Sequence, residues 1–285
     1  MFGMGFAYNC FCSVSKQPRA STAMKLTTSI ALAGIALISL GTQSASASSI
    51  SLTGTVRDFH YAGTSGTPLS GHPDFQAELG TETGIVAPTL GADGKPVYAK
   101  EGKSSATTHG KKEFDQWYRN TPGVNLWQDY AITLDETAAG SGVYSYQNPG
   151  FFPIDGQLGG NQGDSHNYAF TYQIHTDFTY KPGQTFDFTG DDDVWVFINK
   201  QLVIDLGGVH GAQSASVTLS SLGLTDGNTY DFDFFFAERH TSESNLKITT
   251  SIALHDTSVP DAGSTLTLLG SALGLLGFVG RRIRA

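Results

Sequence analysis

The chain has 285 residues, with 17 Lys and Arg against 26 Asp and Glu for a formal charge of −9. That acidic balance disfavours nucleic acid and anionic lipid as partners. With 34 Gly, 18 Phe and 11 Tyr but only 15% charged residues, the composition favours strands and turns over helices.

Residues 1–47 read as an N-terminal extension and a signal peptide. Met24-Lys25 opens a short basic region, Ile30 to Leu40 is apolar, and Ala45-Ser46-Ala47 supplies a small-x-small cleavage pattern. The apolar stretch is shorter than the roughly 20 residues that a bilayer requires. Cleavage between Ala47 and Ser48 is therefore expected. Cys10 and Cys12, the two cysteines, both lie ahead of that point. The exported chain is thus expected to lack disulfides, thiolate metal ligands and a cysteine nucleophile.

The body, residues 48–258, holds 11 Lys and Arg against 25 Asp and Glu, a balance of −14. This suits a soluble surface protein or a binder of divalent cations. It contains no internal repeat. Gly63 to Gly71 is its loosest stretch, and Leu90 to His109 is polar and turn-rich. Phe114, Trp117 and Tyr118 at helical spacing predict a short helix over Lys112 to Arg119, ended by Thr121-Pro122-Gly123. Trp117 and Trp127 read as packing residues.

Strand patterns dominate from there. Tyr168, Phe170, Tyr172 and Ile174 alternate with a mostly polar face, as do Tyr230, Phe232, Phe234 and Phe236. Leu246, Ile248 and Ile252 mark a last strand. The centre of the chain is Phe188 to Gly211, FTGDDDVWVFINKQLVIDLGGVHG. Two apolar strands, Val194 to Ile198 and Leu202 to Asp205, flank the turn Asn199-Lys200-Gln201, and this reads as a hairpin. Trp195 is expected in the core. Burial of each sheet face calls for a second layer, so the expected fold is all-β, an antiparallel β-sandwich with long loops and one or two short helices.

The adjacent carboxylates Asp191, Asp192 and Asp193 repel one another, and paired carboxylates provide the hard oxygens that Ca²⁺ prefers. Asp191, Asp192, Glu238 and Asn245 are the candidate metal ligands. The alternative is a solvated strand cap in which the acids bond turn amides. His210 reads as a loop-fixing donor or ligand, and Arg239 as the ion-pair partner of Glu238. No nucleophile elbow, His-Glu-x-x-His motif or phosphate-binding Gly loop is present. With so many acids, a carboxylate pair proves nothing about glycoside hydrolysis. No catalytic residue is expected.

The run TGDDDVWVFINKQLVIDLGGVHGAQ, followed by DFFFAERH at 233–240 and Ser244-Asn245-Leu246, resembles a fibro-slime domain. Thr55-Val56-Arg57-Asp58-Phe59, His72-Pro73-Asp74-Phe75, Gln116-Trp117-Tyr118-Arg119 and Phe151-Phe152-Pro153-Ile154-Asp155-Gly156 agree in order. That domain is in turn similar to the protective-antigen (PA-fourteen) β-sandwich, a sugar-binding accessory module. This resemblance implies that Asp191 and Asp192 hold Ca²⁺, which in turn holds sugar hydroxyls, with Asp193 and His210 in the ligand-binding loop. Asp193 and Lys200 depart from the pattern, which usually has Gly at both places.

Val259-Pro260-Asp261, the apolar run Leu266 to Val279 and the closing Arg281, Arg282 and Arg284 resemble a PEP-CTERM sorting signal over 259–285. The resemblance implies membrane contact through this tail before processing, then an exosortase-type sorting enzyme. Delivery would be to the bacterial cell surface, outer envelope or extracellular matrix. The expected function is a non-catalytic, calcium-linked binder of extracellular polysaccharide or glycan. A self-associating structural matrix protein is the alternative, with a surface glycosidase behind it.

Overall fold

The structure is a computed structural model that describes residues 46–64, 69–76 and 79–257. Most of the expected signal segment, and the sorting motif Val259, Pro260 and Asp261, lie outside the described residues. Ala47 is exposed, while Ser48 places both its N and its Oγ 3.0 Å from Glu136 Oε2. Among the described residues no helix is long and apolar enough to cross a membrane.

The strands in chain order are β1 (Ser49–Phe59), β2 (Gly80–Thr81), β3 (Asn125–Glu136), β4 (Tyr144–Asn148), β5 (Phe170–Thr179) and β6 (Thr185–Gly190). They continue as β7 (Asp193–Ile198), β8 (Gln201–Leu206), β9 (Gly208–Val209), β10 (Gln213–Thr218), β11 (Thr229–Glu238) and β12 (Leu246–Thr250). One helical turn, α1 (Lys111–Phe114), and one 3-10 turn, Leu219–Leu222, complete the described elements.

Ten strands form a single antiparallel sheet in the order β10-β6-β12-β4-β3-β1-β5-β11-β7-β8, while β2 and β9 pair separately. The large sheet folds back on itself. Phe186 and Phe188 of β6 meet Phe232 and Phe234 of β11 at ring separations of 5.2 and 5.7 Å, although five strands lie between them in the sheet order. The two inner faces bury Leu52, Val56, Tyr172, Ile174, Val196, Phe234 and Ile248 among others. Alternation of side chains across each strand places them there. The result is the expected all-β antiparallel sandwich, built from one folded sheet.

The outer face of β5-β11-β7 is apolar as well. Trp195, Phe197, Phe235 and Ala237 are covered by Ile85, Val86, Tyr98, Phe114, Trp117 and Tyr118 from the long excursion between β2 and β3. This explains why β7 is buried on both sides. The predicted helix over 112–119 is corrected to α1, Lys111–Phe114, followed by turns. Its aromatic spacing reflects packing onto the sheet. Asp74 accepts the Trp117 Nε1 proton at 3.0 Å and the Arg239 guanidinium lies 4.6 Å over the Trp117 ring. Trp127, expected to pack, is instead 42% exposed on β3.

Candidate functional site

The turn from β6 into β7 carries the three acids. It is not solvated: Asp191, Asp192 and Asp193 are 2%, 4% and 0% exposed. Each finds different partners, because successive residues in this turn point in different directions.

Asp193 faces inward. Its Oδ2 accepts from Arg239 Nε at 2.5 Å and its Oδ1 from the Gly208 N–H at 2.7 Å. Both side chains of the ion pair are fully buried. Burial works against the Arg239 cation, but Asp193, Asp192 and Asp74 around it outweigh burial and raise its pKa. Arg239 Nη1 further donates to Thr107 O at 2.6 Å and Asp74 O at 3.2 Å. Arg239 was expected to pair with Glu238; its partner is Asp193 instead. Glu238 is the last residue of β11 and Arg239 the first beyond it, and the chain turns there so that the guanidinium reaches Asp193 while Glu238 stays buried apart from it. Asp193, placed by the sequence among ligand-binding residues, has both oxygens engaged in this brace and does not line the cleft described below.

Asp192 has φ +41°, a left-handed conformation that costs a non-glycine residue roughly 1–2 kcal/mol. A reciprocal pair holds it there: Asp192 N donates to His210 O at 3.3 Å, and His210 N donates to Asp192 Oδ1 at 3.2 Å. Arg239 N donates to Asp192 Oδ2 at 2.6 Å. Burial, opposed by Arg239 and reinforced by Asp193, pushes its carboxyl up to about 7. The loop bearing His210 is set by Gly208, whose φ is +99° and whose added Cβ would meet Gly80 O at 2.2 Å. Only glycine fits where β9 crosses β2. The His210 ring faces Gly211 O at 2.9 Å and Leu206 O at 3.3 Å, consistent with a loop-fixing residue at the cleft wall.

Asp191 accepts from Asn245 Nδ2 at 2.6 Å through Oδ2, and its N donates to Asn245 O at 3.2 Å. Its Oδ1 is buried without a hydrogen-bond partner. Burial raises its pKa, and Glu243 nearby adds to that. Glu238 is 1% exposed, with Oε2 also unpartnered. Burial and then the Asp192 charge hold its carboxyl well above the usual range. Glu238 does not line the cleft; it lies behind Asp192 and Asp191, whose charges help to raise it.

Asp191 and Asp192 form the floor of a cleft of about 270 Å³ whose walls are Val209, His210 and Gly211, the loop residues His240, Ser242 and Glu243, and Leu79. Four segments meet there: the β6–β7 turn, the exit from β9, the β11–β12 loop and Leu79 at the entry to β2. Glu243, Ser242 and Leu79 were not read from the sequence, since no local pattern marks a loop residue that meets its neighbour only after folding. Among the described residues no group of three or more His, Cys, Asp or Glu side chains is gathered to hold a metal ion. Any cation here would draw on Asp191, Asp192, the Asn245 amide and backbone carbonyls, a mixed oxygen set of the kind Ca²⁺ accepts.

Residues 140–265 match the PA14 domain, and residues 258–283 match the VPDSG-CTERM motif. Val259, Pro260 and Asp261 lie within the second match, which accounts for the aspartate where the PEP-CTERM name implies glutamate. Among curated relatives, Protein psiQ of Dictyostelium discoideum is 48% identical over 196 residues, 64% of this chain and 20% of that protein. Protein psiR of the same organism is 46% identical over 65% of this chain and 20% of its own length. Protein psiC is 39% identical over 73% of this chain and 42% of its own. The chain therefore spans well under half the length of these relatives. Of solved structures, a PA14 sugar-binding domain from an RTX adhesin covers 72% of this chain and 98% of its own, at 11% identity and a TM-score of 0.35. The PA14 domain of the MpAFP antifreeze protein covers 45% and 77%, at 13% identity and a TM-score of 0.29.

Proposed function

We propose, from a chain that carries a PA14 domain followed by a VPDSG-CTERM motif, an exported, non-catalytic surface protein that binds extracellular glycan through the Asp191–Asp192 cleft. One observation carries the reading. A buried carboxylate oxygen, Asp191 Oδ1, stands unpartnered at the floor of an open cleft, beside a residue held in a strained backbone conformation. Buried polar atoms without partners are rare and strain gathers at binding sites. Ca²⁺ is the cofactor this donor set fits, with Asp191, Asp192 and Asn245 as its ligands. When bound, the ion supplies a Lewis-acidic centre for vicinal sugar hydroxyls. The resemblance read from the sequence points the same way.

The protein's own groups divide the work. The Asp193–Arg239 pair fixes the turn from beneath, and His210 holds the adjoining loop. Glu238, buried behind the cleft with its carboxyl held well above the usual range by burial and the Asp192 charge, backs the acidic floor from within the protein. Glu243 and Ser242 offer rim oxygens to a glycan. The C-terminal motif supports recognition by an exosortase-type sorting enzyme and delivery to the cell surface.

The test is a calorimetric Ca²⁺ titration of the protein beside the Asp191→Ala, Asp192→Ala double variant, followed by a glycan screen with and without chelator. Saturable Ca²⁺ binding lost in the variant, with chelator-sensitive glycan retention, is expected. Absence of heat in the folded wild-type protein at millimolar Ca²⁺ would remove the cation from this reading. Concentration-dependent assembly without glycan retention would favour a structural matrix role.

A further inference from the structure

A second cleft, of about 360 Å³, opens on the outer face of β5 and β11, at the hairpin-turn end of β7. Leu90, Asp93, Gly94, Lys95, Gln173, His175, Lys200, Asp231 and Asp233 line it. Nothing in the reading above uses it. Lys95 comes from the excursion between β2 and β3, where a tight turn closed by Gly91 N to Lys95 O at 2.8 Å holds it. Its Nζ donates to Gln173 Oε1. Gln173 is 9% exposed and sits in the middle of β5, paired with Thr55 on one side and Phe235 on the other. The sheet fixes the Gln173 backbone, and the turn bonds fix that of Lys95. The amine and the carboxamide are therefore held against each other in the folded state.

We propose that Lys95 and Gln173 form an intramolecular isopeptide bond. The free-base Nζ of Lys95 adds to Gln173 Cδ, forming the new N–C bond. The Cδ–Nε2 bond then breaks and Nε2 leaves as ammonia, carrying away a proton that originated on Lys95. No oxidant or reductant is consumed. Such a step needs a nucleophile able to lose its proton, an acid to serve the leaving nitrogen, and enforced proximity.

The cleft supplies each. Burial first, and then the Arg57 guanidinium, lower the Lys95 amine to about 8; Arg119 adds to this, while Asp93 and Asp233 oppose it. A lysine desolvated beside other cations is the usual form of an activated amine. Asp233, 3% exposed, lies on β11 opposite His175, one inward-outward repeat from Gln173 on the same face. Burial raises its carboxyl, and His175 Nδ1 lies 2.7 Å from its Oδ1. Asp233 lines the same cleft as Lys95 and Gln173 and its charge reaches the Lys95 amine, so it is the group we assign to pass the proton from Nζ to the departing nitrogen. The bond would fasten the covering excursion to the sheet in a chain whose cysteines, Cys10 and Cys12, both precede the body.

The experiment is intact mass spectrometry of the full purified chain, fresh and after incubation at pH about 8, followed by proteolytic mapping. A mass lower than the sequence requires by one ammonia, with a branched peptide joining Lys95 to Gln173, is expected. Lys95→Arg should abolish it. Asp233→Asn should slow it by roughly a hundredfold or more. Both variants are checked by cooperative thermal melting, so that a misfolded protein is not read as an unreactive one. Recovery of Lys95 and Gln173 in separate peptides from folded, incubated wild-type protein would overturn the proposal. So would an ammonia loss that maps to other residues, or one that persists in Lys95→Arg.

Discussion

At the scale of single residues, the three acids of the β6–β7 turn show how position decides role. Asp193 is neutralised by a buried arginine, Asp191 is left with an open oxygen, and Asp192 lies between them with its carboxyl pushed up to about 7. That shift has a definite sign. An unfolded aspartate ionises near its ordinary 3.8, whereas folded Asp192 keeps its proton until about 7. The folded state therefore binds more protons across this window, and stability falls as pH rises through it. Asp191 and Glu238 are raised as well and act in the same direction. Thermal melting of the calcium-free protein should give a higher Tm at the acid end of this window than above pH about 7. Saturating Ca²⁺ should raise the Tm most at the alkaline end, because the ion takes the place of the protons. A Tm that rises with pH across the window would contradict the assignment.

Among the elements, the β7–β8 hairpin was legible to within a residue at each end, because two apolar strands and a polar turn are local signals. So were β11 and the core position of Trp195. The long strands β1 and β3 were not read as strands. Their inward residues Ile50, Leu52, Val56, Ile132 and Leu134 are spaced among Gly, Thr and Asp, and their pairing with each other across 66 to 86 residues has no local trace. The Asp193–Arg239 brace was invisible for the same reason. Within the hairpin, Asn199 and Lys200 have φ of +50° and +64°, the two positive values of a type I′ turn. Asparagine tolerates this and lysine does not. Lys200→Gly should therefore stabilise the protein by about 1 kcal/mol, read as a shift in the urea midpoint with unchanged slope. An unchanged or lowered midpoint would mean that the Lys200 side chain, at the edge of the second cleft, contributes more than its backbone costs.

For the whole molecule, the continuous sheet means that the span matching the PA14 domain, residues 140–265, is not structurally separable. β1 and β3, which precede it, supply the only described link in the sheet between β4 and β5. The fold class was readable because alternating strands with both faces apolar leave few other ways to bury themselves. That one sheet serves both layers was not, since sequence periodicity says nothing about which strand lies beside which. Leu90 to His109 of the excursion between β2 and β3 reads as turn-rich and polar, yet its Tyr98 joins Phe114, Trp117 and Tyr118 in roofing the outer face. The aromatic cluster at 114–118 was legible as packing, but nothing local showed which sheet face it covers.

The first residue of the body brings a consequence of its own. Ser48 N already lies 3.0 Å from Glu136 Oε2, and Glu136 also accepts from the Gly142 N–H at 2.8 Å. These backbone bonds hold its carboxyl down to about 2. As an internal amide, Ser48 offers that carboxylate only a dipole. Freed by a peptidase at Ala47, the same nitrogen becomes an ammonium with an ordinary pKa of about 7.7–8.0. Maturation would then write a full positive charge at the spot where a negative one already waits. A chain beginning at Ser48 should melt above one that keeps Ser46 and Ala47. The gap should be full below pH about 7.7 and close as the ammonium loses its proton at higher pH. Equal melting at neutral pH would show that the carboxylate gains nothing from the new terminus. A gap that closes as described would show that a terminus at Ser48 adds an ion pair with Glu136 to the fold.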